Sequence, residues 1–406
     1  VITEQTRILS LQEYKTTSFL KDEIPEELGE LLYHKFGDKV NITPPSFKTD
    51  YRWEITPQGW VGYIPLSEQL GLELKPKVPI GNLFGMWEYA YRLGSFNFLE
   101  GLYSAQSLQE FYEQLASILA KRILDRGRKG YYRTYLPRAE HLPYLRGNMD
   151  ARRRAQSPWQ TKLYCHYQEH TPDIDENQIL AWTLFVIARS GQIGERVAPV
   201  VRRAYRNLQG LVSLRPFRPE DCIGRLYNRL NQDYQPLHAL SRFFLEQSGP
   251  QMEIGDRTMI PFLVDMANLY ELFVAEWLKA HLPTKYILKT QEQVDISKSG
   301  KLYFKIDLVL YQTDSPQPIC VLDTKYKAPD AGPSPADIAQ VVSYAESKYC
   351  NEAVLIYPVP LETSLDDKVG GIYVRNLTFS LNGDLELSGK YFRHQLLPNL
   401  ADSILS

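Results

Sequence analysis

The sequence predicts an α+β multidomain protein: a small β-rich domain at the N-terminal end, a helical and basic middle region, and a C-terminal α/β core. Three observations predict it. Strand-like runs broken by turn signals crowd residues 51–78, apolar residues recur at helical spacing from about 105 to 250, and past residue 259 the pattern reads helix, strand, strand, strand, helix, strand. A chain of 406 residues suits two or three domains. We draw the boundaries at 1–104, 105–255 and 256–406.

In the first region Tyr51–Ile55, Trp60–Pro65 and Leu72–Lys75 read as short strands, with Pro57-Gln58-Gly59 as a turn. Asn82–Tyr91 has helical spacing. In the second, Ser107-Leu108-Gln109-Glu110 opens a helix with capping-box spacing, and Phe111, Leu115, Ile118, Leu119 and Ile123 keep one face. Asn177–Arg189 and Val197–Leu208 read as further helices, and Pro137–Pro158 as a charged loop between helices. In the third, Ile260–Lys279 is an amphipathic helix. Strands Lys285–Asp295 and Leu302–Tyr311 are joined by the hairpin connection Ser297-Lys298-Ser299-Gly300, a third strand spans Ile319–Tyr326, a helix Pro335–Lys348, and a strand Ala353–Tyr357. The tail from Leu361, with a hairpin at Asn382-Gly383-Asp384, reads as strands that extend this sheet.

Composition excludes several classes. With 44% hydrophobic and 23% charged residues the chain is neither disordered nor collagenous, and no run approaches the roughly 18 apolar residues of a membrane span. The first residues lack a signal-sequence pattern, so a soluble, cytoplasmic protein is expected. Cys165, Cys222, Cys320 and Cys350 are scattered, which favours buried thiols over a zinc knuckle or disulfides. His166 and His170 are four apart but lack the intervening glutamate of a metalloprotease helix.

The net charge of −2 hides an uneven distribution. Between Lys121 and Arg154 eleven Lys/Arg face three Asp/Glu, interleaved with Tyr131, Tyr132, Tyr135 and Tyr144. Cations interrupted by aromatic rings suit a phosphate backbone with bases nearby, which makes Arg126, Arg128, Lys129, Arg152, Arg153 and Arg154 candidate DNA contacts.

The chemistry is expected in the last third. Asp307 sits in the second strand, and Asp323-Thr324-Lys325 ends the third after Cys320-Val321-Leu322. Acids set directly against aliphatic core positions are costly unless paired or metal-bound. A hairpin can place Asp307 beside Asp323, and strand period puts Lys325 on the face of Asp323. Phosphodiester hydrolysis uses such a set: carboxylates hold Mg²⁺ (Mn²⁺ as substitute), and an ammonium stabilises developing charge. Asp307, Asp323 and the Thr324 carbonyl are candidate ligands, with Glu271 on the preceding helix. Lys325 is the candidate catalytic ammonium, and Gln340 and Tyr344, four apart on the next helix, can bracket the site. Asp295 is a less favoured alternative ligand.

These residues resemble the PD-(D/E)XK nuclease superfamily, in the branch that shares Gln-x-x-x-Tyr with RecB-type nucleases. Phe262–Val274, the Asp307 strand and Leu322-Asp323-Thr324-Lys325-Tyr326-Lys327 are similar to the McrC family of McrBC modification-dependent restriction systems, and Leu74–Pro79 and Leu145-Arg146-Gly147 extend the likeness upstream. The "PD" aspartate here is Ile306-Asp307, without proline.

The resemblance implies a restriction-endonuclease-like core that cuts DNA with Mg²⁺ and without a covalent intermediate. It implies a McrB-like hexameric AAA+ partner, a GTPase or ATPase, on which the N-terminal region docks and whose hydrolysis it stimulates. Double-strand cutting would ask for two nuclease domains, hence dimerisation of partner complexes. The sequence holds no Gly-x-x-x-x-Gly-Lys-[Ser/Thr] loop, so NTP hydrolysis is expected from the partner. Two rivals are a stand-alone RecB-type repair nuclease and a non-catalytic adaptor that activates an AAA+ ring.

Overall fold

The computed structural model describes residues 7–67, 69–91, 107–157, 159–249, 252–254, 257–296, 302–327 and 332–397. They form two compact units, one from the described residues up to Leu108 together with those from Gly249 on, the other from Gln109–Ser248. The sequence draws three domains; here its first and third regions share a unit.

The first unit begins with β1 (Arg7–Gln12), β2 (Thr17–Phe19), α1 (Glu26–Phe36), β3 (Val40–Thr43), β4 (Trp53–Pro57), β5 (Trp60–Pro65), β6 (Leu70–Lys75) and α2 (Ile80–Ala90). Period-two alternation buries Trp53, Ile55 and Pro57 of β4 and exposes more of the residues between them. The turn at Pro57-Gln58-Gly59 separates two sheets, because β4 lies between β2 and β3 while β5 pairs with β6. Leu32, Phe36, Ile55, Leu72 and Leu74 fill the core between them.

The second unit holds α3 (Leu108–Lys129), β7 (Thr134–Leu142), β8 (Asn148–Met149), α4 (Ala151–Gln156), β9 (Leu163–Thr171), α5 (Asp175–Arg189), α6 (Ala198–Gln209) and α7 (Tyr234–Glu246). The helices follow the predicted periodicity. The expected loop Pro137–Pro158 does not: β7 pairs with β9 from Thr134↔Thr171 to Leu142↔Leu163, and β8 pairs with the other edge of β9. The reason is physical. Almost every residue of β7 faces solvent, so no apolar alternation marks it, and Pro137 is tolerated because β7 is an edge strand. "Helical" therefore describes only part of the middle region.

The chain then returns to the first unit through β10 (Met252–Ile254), β11 (Arg257–Met259), β12 (Phe262–Asp265), α8 (Met266–His281), β13 (Tyr286–Asp295), β14 (Tyr303–Gln312), β15 (Pro318–Thr324), α9 (Pro335–Ser347), β16 (Glu352–Tyr357), β17 (Asp366–Val369), β18 (Ile372–Thr378) and α10 (Leu385–Leu396). The predicted helix Ile260–Lys279 is thus split. Phe262–Asp265 is a strand paired antiparallel with β5, from Phe262↔Tyr63 to Asp265↔Trp60. Asp265 then starts α8 by accepting hydrogen bonds from the N–H groups of Ala267 (3.0 Å) and Asn268 (3.1 Å). Gly62 permits the pairing: its φ is +137°, and a Cβ there would stand 2.0 Å from the Phe262 carbonyl oxygen.

A six-stranded sheet of order β13-β14-β15-β16-β18-β17 carries the core. β13, β14 and β15 form an antiparallel meander, whereas β15, β16 and β18 are parallel, with α9 as the connection between β15 and β16. Burial on both faces explains the unbroken run Ala353-Val354-Leu355-Ile356-Tyr357. The tail extends the sheet through β17 and β18, but Asn382-Gly383-Asp384 is no hairpin; Asp384 caps α10, accepting from the Leu387 N–H at 2.9 Å. The connection Ser297–Gly300 lies outside the described residues. No described helix is long and apolar enough to cross a membrane.

Candidate active site

The sheet register brings the two central acids together. Leu308 pairs with Leu322, and Asp307 and Asp323 are the next residues beyond that pair on β14 and β15. Asp323 is only 1% exposed. Thr324 donates to Asp307 Oδ2 through its backbone N–H (3.1 Å) and its hydroxyl (3.2 Å). Lys325 follows the strand and lies with Nζ 2.6 Å from Asp323 Oδ2.

From Lys325 a polar line runs onto α9. Its ammonium donates to Gln340 Oε1 at 2.9 Å, and Gln340 Nε2 donates to the Tyr344 hydroxyl at 2.7 Å. The spacing of four aligns Gln340 and Tyr344 on one helix face. Asp337, in the first turn of α9, is buried and takes Lys327 Nζ at 2.6 Å and the Tyr357 hydroxyl at 3.3 Å. Glu271 on α8 accepts a hydrogen bond from the amide of Gln291 on β13.

Electrostatics mark the cluster. Burial, then the charges of Asp307 and Asp323, pushes Glu271 up to about 7 against the Gln291 hydrogen bond and Lys305. Burial raises Asp307 in spite of the Thr324 hydrogen bonds and Lys325. Asp323 is pushed up to about 6, by burial first and Asp307 second, with Lys325 opposing. Burial works against the Lys325 ammonium, but Asp323, Asp337 and Asp307 outweigh it and hold its pKa above the ordinary lysine value. Three acids crowded out of water beside a firmly charged ammonium are short of positive charge.

That shortage is the test of fit for a divalent cation. Asp323 Oδ2 is buried and receives no well-directed hydrogen bond from the described residues, although Lys325 Nζ is near it. Among the described residues no three acid, imidazole or thiol groups converge closely enough to cage an ion as they stand. The donor set nevertheless fits Mg²⁺ in kind: carboxylate and carbonyl oxygens, no sulfur, and raised pKa values that a bound cation would reverse.

Sequence reasoning missed Gln291, Asp337 and Lys305. Gln291 lies between the Thr290↔Leu308 and Glu292↔Ile306 pairs, hence across from Asp307, with φ +54°, a left-handed conformation rare inside a strand. Nothing in the residue type signals it. Asp295 is not brought into the cluster: it pairs with Tyr303, four residues along β14 from Asp307, roughly 13 Å at strand rise. His166 and His170 are likewise four apart on one strand, too far for a shared ion.

The candidate DNA contacts fare unevenly. Arg126 is engaged within its unit, 3.2 Å from Asp233 and donating to the Leu230 carbonyl at 3.2 Å. Arg128 pairs with Asp125 at 2.6 Å, Arg153 lies 3.6 Å from Asp150, and Arg154 donates to the Gln160 carbonyl. Lys129 and Arg152 have no carboxylate partner among the described residues, and both are exposed. The same holds for Arg202, Arg203 and Arg206, which line a cavity on α6 with Pro199 and Asn207 and which sequence reasoning passed over.

Comparison with known proteins gives this geometry a setting. Residues 55–358 match the family described as McrBC 5-methylcytosine restriction system component. No curated protein matches the chain. Among solved structures, McrC in the refined half-complex from the tetradecameric assembly of Thermococcus gammatolerans McrB AAA+ hexamers with bound McrC is 18% identical, with a TM-score of 0.58, and the match covers 97% of this chain and 100% of that one. A chain of the cryo-EM structure of the Thermococcus gammatolerans McrBC complex is 17% identical, with a TM-score of 0.42 over 68% of this chain and 89% of that one. At 18% identity the first likeness is one of fold, mixed α/β with several sheets. The family match covers well over half of the sequence, and the chain belongs to the McrBC 5-methylcytosine restriction system component family.

Proposed function

We propose that the chain is the DNA-cutting subunit of an McrBC-type restriction system: a Mg²⁺-dependent endonuclease of PD-(D/E)XK type that works on an AAA+ NTPase ring and stimulates its hydrolysis. The observation that carries the reading is the run Asp307, Asp323, Lys325, Gln340, Tyr344, gathered where the interior strands β14 and β15 of a mixed sheet meet α9, in a chain of this family. The partner is carried over from McrC of Thermococcus gammatolerans, which is bound to McrB AAA+ hexamers.

Asp307, Asp323, Glu271 and the Thr324 carbonyl would hold Mg²⁺, which when bound polarises a phosphodiester and makes water a better nucleophile. The chain's own side chains do the positioning. Lys325 stays an ammonium at neutral pH and offers charge to a phosphoryl oxygen as negative charge builds. Gln340 fixes that ammonium, because its amide oxygen takes Lys325 while its amide N–H is aimed at Tyr344. Thr324 orients Asp307 by two hydrogen bonds to one oxygen, leaving the Oδ1 side of the carboxyl to a ligand.

The test is plasmid cleavage with Mg²⁺ by the wild type and Asp323→Ala, each with and without the AAA+ partner and GTP or ATP, on methylated and unmethylated DNA. Cutting is expected to need both the partner and Asp323, with a loss of about a thousandfold in the variant. Equal cutting by Asp323→Ala overturns the assignment.

A further inference from the structure

We infer that Glu13, in the turn directly after β1, is a positioning residue for Lys325, acting through Tyr326. The inference rests on the nuclease reading above and adds a residue 312 positions away from the lysine it serves.

Tyr326 directly follows Lys325 and is buried. Its hydroxyl donates to Glu13 Oε2 at 3.2 Å, and its carbonyl accepts from the Tyr14 hydroxyl at 3.4 Å. Its ring lies 6.0 Å from that of Tyr270, the neighbour of Glu271 on α8. Side chain and backbone of one residue are therefore tied to two consecutive residues of the turn that follows β1.

The anchor on the other side is built for this contact. Glu13 is 1% exposed; Oε2 also accepts from the Lys77 N–H at 3.2 Å, while Oε1 is buried without a hydrogen-bond partner among the described residues. Burying an acid with one oxygen unsatisfied is costly, and core packing alone would favour an apolar residue there. Tyr14 takes φ +58°, a strained choice for a tyrosine, and is held in it by its N–H to the Pro57 carbonyl (3.0 Å) and by Lys77 Nζ 4.5 Å over its ring. Gly59 makes room, since a Cβ there would stand 2.7 Å from the Tyr14 hydroxyl.

The sheet does not hold this segment itself. β15 ends at Thr324, and the Lys325 N–H to the Ile356 carbonyl (2.8 Å) is the last bond from this stretch to β16 among the described residues. Beyond it, Glu13 and Tyr14 fix Tyr326, and Asp337 takes Lys327. A shift of the end of β1 is transmitted to the residue next to Lys325, and an ammonium displaced by an ångström stabilises a transition state less well.

The experiment is single-turnover cleavage by the full chain with its AAA+ partner, comparing wild type, Glu13→Ala, Glu13→Gln, Tyr326→Phe and the double variant Glu13→Ala/Tyr326→Phe, together with hydrogen exchange of residues 322–327. Glu13→Ala and Tyr326→Phe should each slow cutting about tenfold at an unchanged half-saturating DNA concentration, with the double variant no slower than either. Glu13→Gln, whose amide oxygen still accepts from Tyr326, should keep most of the rate. Exchange should rise in 322–327 and not across the rest of the sheet. Wild-type rates in both single variants, losses that multiply in the double, or a change in DNA affinity alone overturn the inference. If Glu13→Ala does not fold, Tyr326→Phe and Tyr14→Phe carry the test. Should no cutting depend on Asp323, the nuclease reading fails, and exchange in 322–327 still decides whether Glu13 holds the segment.

Discussion

In the first unit Glu271, Asp307 and Asp323 are drawn out of water with too few donors to satisfy them, whereas in the second, where 22 Lys/Arg meet 14 Asp/Glu, many cations have an acid at hand. Arg225 bridges Asp175 and Glu176, Arg215 pairs with Asp175, and Glu169 takes both Arg138 and Arg146. The two regions show that density of charge along a sequence is a poor guide to where charge is left unbalanced in the fold. An unbalanced buried charge costs stability and asks for a ligand; a balanced exposed one asks for nothing.

The contrast breaks first at Lys325. Lys325→Met removes the cation nearest Asp323 and should slow single-turnover cutting by about a hundredfold or more while the fold persists. Unchanged rates would remove Lys325 from the chemistry. The next largest effect is on stability: Gly62→Ala puts a methyl group 2.0 Å from the Phe262 carbonyl oxygen at φ +137°, and should cost about 3 kcal/mol or more in denaturant unfolding. A variant as stable as wild type would show that the junction of β5 with β12 yields easily.

How much of this was legible in the sequence depends on the range of the interaction. Asp323-Thr324-Lys325 declares itself because acids seldom follow a run such as Cys320-Val321-Leu322, and Gln340 with Tyr344 follows from helix spacing alone. The partner strand of β12 is another matter: Phe262–Asp265 lies some 200 residues from β5 and merges with the apolar stripe of α8, so helical periodicity absorbs it. β7 is invisible because neither face of it is buried. The contact of Glu13 with Tyr326 and the left-handed Gln291 across from Asp307 are set by tertiary packing, on which local pattern is silent.

The second unit carries its own buried titratable group. His238 on α7 is fully buried, with Nε2 3.0 Å from the Glu176 carbonyl and Nδ1 2.9 Å from the Tyr227 hydroxyl. Burial depresses its pKa to about 4. Above the unfolded value near 6.5 the imidazole is neutral in both states and nothing is lost. As pH falls from there towards 4 only the unfolded chain takes up the proton, so stability declines by up to about 3 kcal/mol. His238→Gln should flatten that part of the curve relative to wild type. Parallel curves from pH 7 to 4 would show that the imidazole takes up its proton in the fold over the same pH range as in the unfolded chain.

The smallest effect separates two groups of arginines in the second unit. Arg152, Arg153 and Arg154 are the cluster the sequence advertises, yet Arg153 lies beside Asp150 and over the Tyr164 ring at 4.0 Å, and Arg154 is engaged with Gln160. Arg202, Arg203 and Arg206 on α6 have no such acid among the described residues. A phosphate contact releases a counterion only if the cation was not already neutralised, so each free arginine that touches DNA steepens the log–log salt dependence by about one, and a paired one by less. Replacing Arg202, Arg203 and Arg206 by glutamine should therefore flatten the slope more than the same change at Arg152, Arg153 and Arg154, with little change in unfolding. The reverse order would mean that the cluster at 152–154 leaves its internal partners when DNA arrives, and that pairing within the free protein does not predict which cations meet the phosphates.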